Sequence, residues 1–180
     1  MAAALRYVLD ILFTLYSAVL LLRLLLQLVR ADFRNPLARA IVQLTNPVVL
    51  PLRKVLPPIG KVDTASLVAV VLCTLLKLWL LLALAGVVAP PPGRLLAATV
   101  LDVLDLVLGT YLFSIVLNAI LSFVAPGNYS PAQALLASIC DPVLNPIRRV
   151  IPPLGGLDLS PLWACIAIQA LRIILSQYVA

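Results

Sequence analysis

The 180-residue chain has no histidine and no glutamate, and only 11% of its residues are charged. Without imidazole it lacks the commonest ligand for haem iron and catalytic zinc, and the usual general base near neutral pH. Three cysteines, Cys73, Cys140 and Cys165, share no metal or disulfide spacing, and two of them lie in apolar runs. There a thiol behaves as a small hydrophobe. The sequence also lacks a Ser/His or Cys/His pair, a glycine-rich phosphate loop and a close inward-facing carboxylate pair. The chain therefore reads as a non-enzyme with no cofactor.

Apolar residues are abundant. They make up 63% of the chain, and mean hydropathy is +1.14, against roughly 45 to 50% apolar and about 25% charged in a soluble domain. A chain this short cannot hide so much apolar surface from water, so lipid is its expected solvent. Windows long enough to cross a bilayer run from about Tyr7 to Val29, Ala65 to Ala89, Asp105 to Val124 and Pro161 to Val179. The first exceeds the roughly 7 to 15 residues of a signal-peptide core and reads as a retained span. Residues 95 to 104 extend the third as a longer helix or an interfacial lead-in. Pro90-Pro91-Pro92-Gly93 reads as a tight turn at the midpoint.

A 95-residue offset superimposes the two halves. Asn46-Pro-Val-Val-Leu-Pro-Leu-Arg-Lys-Val-Leu-Pro-Pro-Ile-Gly-Lys-Val-Asp63 aligns with Asp141-Pro-Val-Leu-Asn-Pro-Ile-Arg-Arg-Val-Ile-Pro-Pro-Leu-Gly-Gly-Leu-Asp158 without a gap, and nine of the eighteen positions are identical. The same offset sets Asp10 over Asp105, Tyr16 over Tyr111, Pro36 over Pro131 and Lys77 over Arg172. The expected fold is thus an all-α integral membrane protein of four transmembrane helices. They form two parallel helix-connector-helix repeats, residues 1–89 and 95–180, joined by a proline-rich turn at 90–94.

Thirteen Lys plus Arg against seven Asp give a net charge of +6, which in a membrane protein is first a topology signal. Eight of the basic residues fall in connectors 30–63 and 126–160. The positive-inside rule then places both connectors in the cytoplasm of a bacterial inner-membrane protein, with both termini outside. Within each connector Asn46 or Asp141 is the expected cap of a short helix, with Pro47 or Pro142 as its first residue. Pro51 and Pro146 fall inside that helix. Pro57 and Pro152 begin the double prolines that end it, Gly60 and Gly155 allow the reversal, and Asp63 and Asp158 face the next span's N-terminus. Such a helix is too short to span and too apolar for water, so it should lie in the interface.

The basic pairs Arg53-Lys54 and Arg148-Arg149 admit two readings. They are topology charges alongside turn chemistry, or they form a site for anionic lipid or a membrane-protein partner; no direct nucleic-acid contact is expected. Inside the spans lie Arg23, its repeat counterpart Asn118, and the deeper Lys77 and Arg172. Polar stripes accompany them: Ser66-Cys73-Lys77, Ser114-Asn118-Ser122 and Cys165-Gln169-Arg172-Ser176. These read either as glue between helices or as an intramembrane polar centre. Asp10, Asp102 and Asp105 are expected nearer the outer surface. That leaves the cations to water, lipid phosphate or another subunit.

The repeated proline-arginine phrase, following an apolar helix that contains Leu21-Leu22-Arg23, resembles the YggT family of small bacterial membrane proteins over nearly the whole chain. The resemblance implies a multi-pass cytoplasmic-membrane protein in a supporting role, such as tolerance of osmotic or ionic stress or assembly of a membrane complex, with no catalytic residues to carry over. Another reading is an oligomeric ion channel or transporter that uses the intramembrane Arg and Lys residues. Asn118 opposite Arg23 and Gly156 opposite Lys61 show that the halves are not interchangeable.

Overall fold

A computed structural model of the chain describes residues 2–60, 62–88, 90–124, 130–151 and 158–179. Pro152 and Gly155, expected to end and reverse the second connector, lie outside the described residues, as does Lys61. Six helices account for almost all of what is described: α1 (Ala2–Leu28), α2 (Pro36–Val55), α3 (Thr64–Ala85), α4 (Pro92–Val124), α5 (Pro131–Val150) and α6 (Ser160–Val179). Four of them, α1, α3, α4 and α6, are long and apolar enough to cross a bilayer.

The long helices start and stop where side chains allow. Gly86 takes the left-handed conformation (φ +70°) that closes α3, so the second span ends four residues before the sequence suggests. Arg30 (φ +53°) closes α1, with Ala31 N–H returning to Leu26 O at 2.9 Å. Pro92 is not part of the midpoint turn. It opens α4, where a missing N–H goes unneeded, so α4 runs 33 residues.

The connectors differ most from expectation. Each is a 20-residue helix, because the amphipathic segment ahead of the phrase and the phrase itself form one continuous element. Asn46 and Asp141 are therefore not N-caps. Asn35 caps α2, its side chain accepting from Leu37 N–H at 2.9 Å with Pro36 behind it, and Ser130-Pro131 stands at the same place in α5. Pro47, Pro51, Pro142 and Pro146 consequently sit inside helices. Proline removes one ladder bond and crowds the turn before it. In α2 that turn takes donors from α1, as Tyr16 Oη–H donates to Leu44 O and Arg23 Nη1 to Val42 O, both at 3.4 Å.

Packing is alike in the two halves: α1 lies on α3 as α4 lies on α6, and each connector helix rests on both spans that it joins. The α3–α4 and α1–α4 contacts join the halves. The connector helices meet at one end of the bundle, where Asn35 Nδ2 donates to Pro131 O at 2.6 Å. The larger core cluster fills the first half with Leu20, Leu24, Val49, Ala69 and Val70. A smaller one, around Ile115, Cys140, Leu144 and Ala164, fills the second. Burial pushes the Cys140 thiol up to about 12, so it packs as a hydrophobe.

Against α1, α3 presents Ala65, Ser66 and Ala69, all essentially inaccessible. Small residues let helix backbones approach closely where lipid supplies no hydrophobic drive. Ala69→Leu should therefore wedge the pair apart and cost about 1 to 3 kcal/mol. The check is a lowered unfolding midpoint in detergent, with Leu67→Ala on the exposed face as a near-neutral control.

Candidate functional site

Two polar clusters lie inside this apolar frame, at opposite ends of the bundle. At the connector end, the double proline after α2 and the turn at Gly60 (φ +61°) bring Asp63 back against Arg53, ten residues earlier. Asp63 also accepts from Ser66 Oγ at 2.7 Å. Turned to satisfy both of its ends, the Gln27 amide donates to Asp63 at 2.9 Å and accepts from Arg53 at 3.1 Å. Burial alone would raise the Asp63 carboxyl. Ser66 and the Arg53 guanidinium outweigh it and hold the group below its ordinary range.

The second connector repeats the clasp in looser form. Arg148 Nε donates to Asp158 Oδ2 at 2.8 Å, while Nη1 reaches Asp141 and Asn145, both at 3.3 Å. Asp158 is 42% exposed where Asp63 is 4%, so solvent screens this copy far more. The arginine of the repeated phrase therefore holds the connector onto the next span. Lys54 and Arg149 are exposed at the ends of α2 and α5.

Arg23 belongs to the connector end. It is only 3% exposed, and its Nη1 donates to Thr45 Oγ1 at 2.8 Å and to Asn46 Oδ1 at 3.0 Å, joining α1 to α2. Pro57 and Gly60 supply the stop and the reversal, and Thr64 Oγ1 donates to Pro57 O at 2.7 Å across the turn.

The second cluster corrects the expectation of unpaired cations. Lys77 Nζ lies 2.6 Å from Asp102 Oδ2, 3.6 Å from Asp10 Oδ1 and 3.3 Å from Thr14 Oγ1. Arg172 makes a forked pair with Asp105, at 2.8 and 2.9 Å. The pairs form because α1 and α4 carry Asp10, Asp102 and Asp105 alongside the cations of α3 and α6. Asp105 is thirteen residues into α4, about 20 Å along its axis.

The two halves use the same positions differently. Lys77 reaches Thr14, whereas at the matching place Gly109 lies against the Arg172 guanidinium and offers it no hydroxyl, a Cβ there standing at an ordinary contact distance of 3.7 Å. Asn118 is half-buried on α4 and lies in neither cluster. Arg23, Lys77, Asn118 and Arg172 thus form no single polar centre. The chain had already signalled the pairs, since acid and base recur at the same offset in both halves.

Four apolar spans with paired charges between them define a multi-pass α-helical membrane protein. The chain belongs to the CCB3/YggT family, whose model matches it twice, over residues 2–84 and 97–179. It is 42% identical over 175 residues to an uncharacterised protein of Pseudomonas aeruginosa, covering 97% of this chain and 89% of that protein. To the uncharacterised protein YggT of Escherichia coli K12 it is 37% identical over 159 residues, 88% and 81% of the two chains. A 35-residue stretch is 57% identical to YlmG homolog protein 2, chloroplastic, of Arabidopsis thaliana, 19% and 14% of the two. No solved structure matches.

Two outcomes follow for the clusters. Lys77→Leu should destabilise the bundle by about 2 to 3 kcal/mol, because Asp102 loses its partner while keeping some contact with solvent. Adding Asp102→Leu should recover part of that loss, which thermal unfolding of the single and double variants measures as a coupling energy. The clasp should also weaken in acid. The Asp63 carboxyl is held below its ordinary value of 3.8, so its contribution is full above that pH and is lost as pH falls through the lowered value. An unfolding midpoint followed from pH 6 downward should drop in that window, and Asp63→Asn should flatten the drop.

Proposed function

We propose that this protein is a non-catalytic inner-membrane factor whose halves are parallel repeats and whose connector helices lie on the cytoplasmic membrane surface. There they engage anionic lipid or a membrane-protein partner, supporting osmotic or ionic homeostasis or the assembly of a membrane complex. The observation that carries this reading is the shape of the connector end. Two 20-residue amphipathic helices meet there and end in the basic residues Lys54 and Arg149; α2 exposes apolar residues such as Leu37, Leu44 and Val48, and α5 exposes Val150. A helix with one apolar exposed side and a cationic end suits the lipid-phosphate boundary, where each basic residue near an anionic surface adds about 1 kcal/mol.

Arg53 and Arg148 enter this reading as clasps. Lys54 and Arg149 carry the outward charge. The alternative, an oligomeric channel or transporter drawing on Lys77 and Arg172, finds less support, since ion pairs with Asp102 and Asp105 already occupy those groups. Paired in this way they suit helix association better than attraction of an anion.

Lys54→Glu combined with Arg149→Glu leaves both clasps intact and should abolish rescue of a strain lacking the gene under salt upshift, at unchanged protein abundance. Full rescue would set the reading aside. Steady ion flux in proteoliposomes, altered by Lys77→Leu, would favour the channel instead.

A further inference from the structure

Between α1 and α2, beside the Arg53 clasp, lies a cleft of about 420 Å³. Three arginines line it, Arg23, Arg39 and Arg53, together with Gln27, Gln43, Val42 and Phe33. Among the described residues no acid lines it; Asp63 lines the neighbouring cleft, which shares Arg53. One carboxylate thus stands near three cations. Among the described residues, Nε of the buried Arg23 and Nε of Arg53 are enclosed without any acceptor.

The second half shows what the fold itself needs. At the matching positions Asn118 replaces Arg23, Ala134 replaces Arg39, Ser122 replaces Gln27 and Ser138 replaces Gln43, while Arg148 alone remains. That half still closes its clasp through Arg148 and Asp158. Arg23 and Arg39 are therefore additions to one repeat rather than requirements of both. Arg23 and Arg53 also brace the fold, but the exposed Arg39 gathered beside them has no such task, and the three cations together match a tetrahedral oxyanion. The guanidinium fork fits phosphate oxygens in pairs, and the partly desolvated setting strengthens each contact.

We propose that this cleft binds the phosphate group of an anionic phospholipid. Lipid fits better than free phosphate because Phe33 at the cleft is 37% exposed and α2 beside it shows Leu37 and Leu44 outward, apolar surface suited to acyl chains. The proposal rests on the interfacial reading of α2. Binding measured in detergent is nevertheless independent of which membrane face the cleft meets, and of the Lys54/Arg149 result.

The test is native mass spectrometry of the full chain released from a neutral maltoside detergent, titrated separately with phosphatidylglycerol, phosphatidylcholine and inorganic phosphate. Phosphatidylglycerol should bind in preference to both. Arg39→Gln, an exposed substitution that the packing tolerates, should weaken it about tenfold, as expected for losing one charge-assisted contact. Arg23→Gln should weaken it at least as much, and because Arg23 also braces α2, the Arg39 variant keeps the test valid if that protein misfolds. Arg94→Gln, an exposed cation at the start of α4 away from the cleft, should change affinity by less than about twofold. Unchanged affinity in Arg39→Gln, or an equal loss in Arg94→Gln, would overturn the site. Tight binding of inorganic phosphate with no retention of phosphatidylglycerol would overturn the lipid assignment.

Discussion

A charge between apolar helices has to find its opposite there, and Lys77 is where this constraint presses hardest. At 8% exposure it is buried on α3, and its two carboxylates come from different halves: Asp10 from α1 and Asp102 from α4. Such a pair contributes little net stability, since desolvation offsets most of the attraction. What it supplies is registry. Sliding α3 past α4 by one turn would move Lys77 about 5 Å from Asp102, and the cost of a stranded charge would oppose it. The forked Arg172–Asp105 pair does the same for α4 and α6.

The connector end answers a related demand. Proline inside a helix leaves carbonyls short of donors, which lipid cannot supply. Tyr16 and Arg23 on α1 donate to Leu44 O and Val42 O, on either side of the Gln43 carbonyl that Pro47 leaves without its ladder donor, and Arg53 closes on Asp63 after the double proline. Prolines that would break an isolated helix thus become points at which the neighbouring span holds the connector. Arg23, Arg53, Arg148 and Arg172 are braces, and among the described residues the exposed Arg30, Arg34, Arg39, Lys54, Arg94 and Arg149 are cations left to the surroundings.

Much of this was legible in the residues. Run length and hydropathy located the four spans, and the 95-residue offset matched the halves, as the paired family matches at 2–84 and 97–179 also do. Reading the acids as set apart from the cations missed the pairs, because apolar windows do not show that α1 and α4 bring Asp10, Asp102 and Asp105 alongside Lys77 and Arg172. Asn46-Pro47 misled for a similar reason: Asn35-Pro36 carries the same cap signature eleven residues earlier and is the one that opens the helix. The clasp required three-dimensional closure to be seen. Even so, Arg53 to Asp63 and Arg148 to Asp158 keep the same ten-residue separation in the ungapped repeat, which was the one sign of the pair in the residues.

The unbroken length of α4 has a mechanical consequence. From Pro92 to Val124 it is one rod about 50 Å long, and it touches α1, α3, α5 and α6. It holds the Asp102 and Asp105 pairs about 15 to 20 Å from its start and, about 35 Å from it, Ile115 in the small core that seats α5. A stiff rod held at two points along its length resists local tilt. The seat of α5 and the ion pairs are therefore borne by one lever.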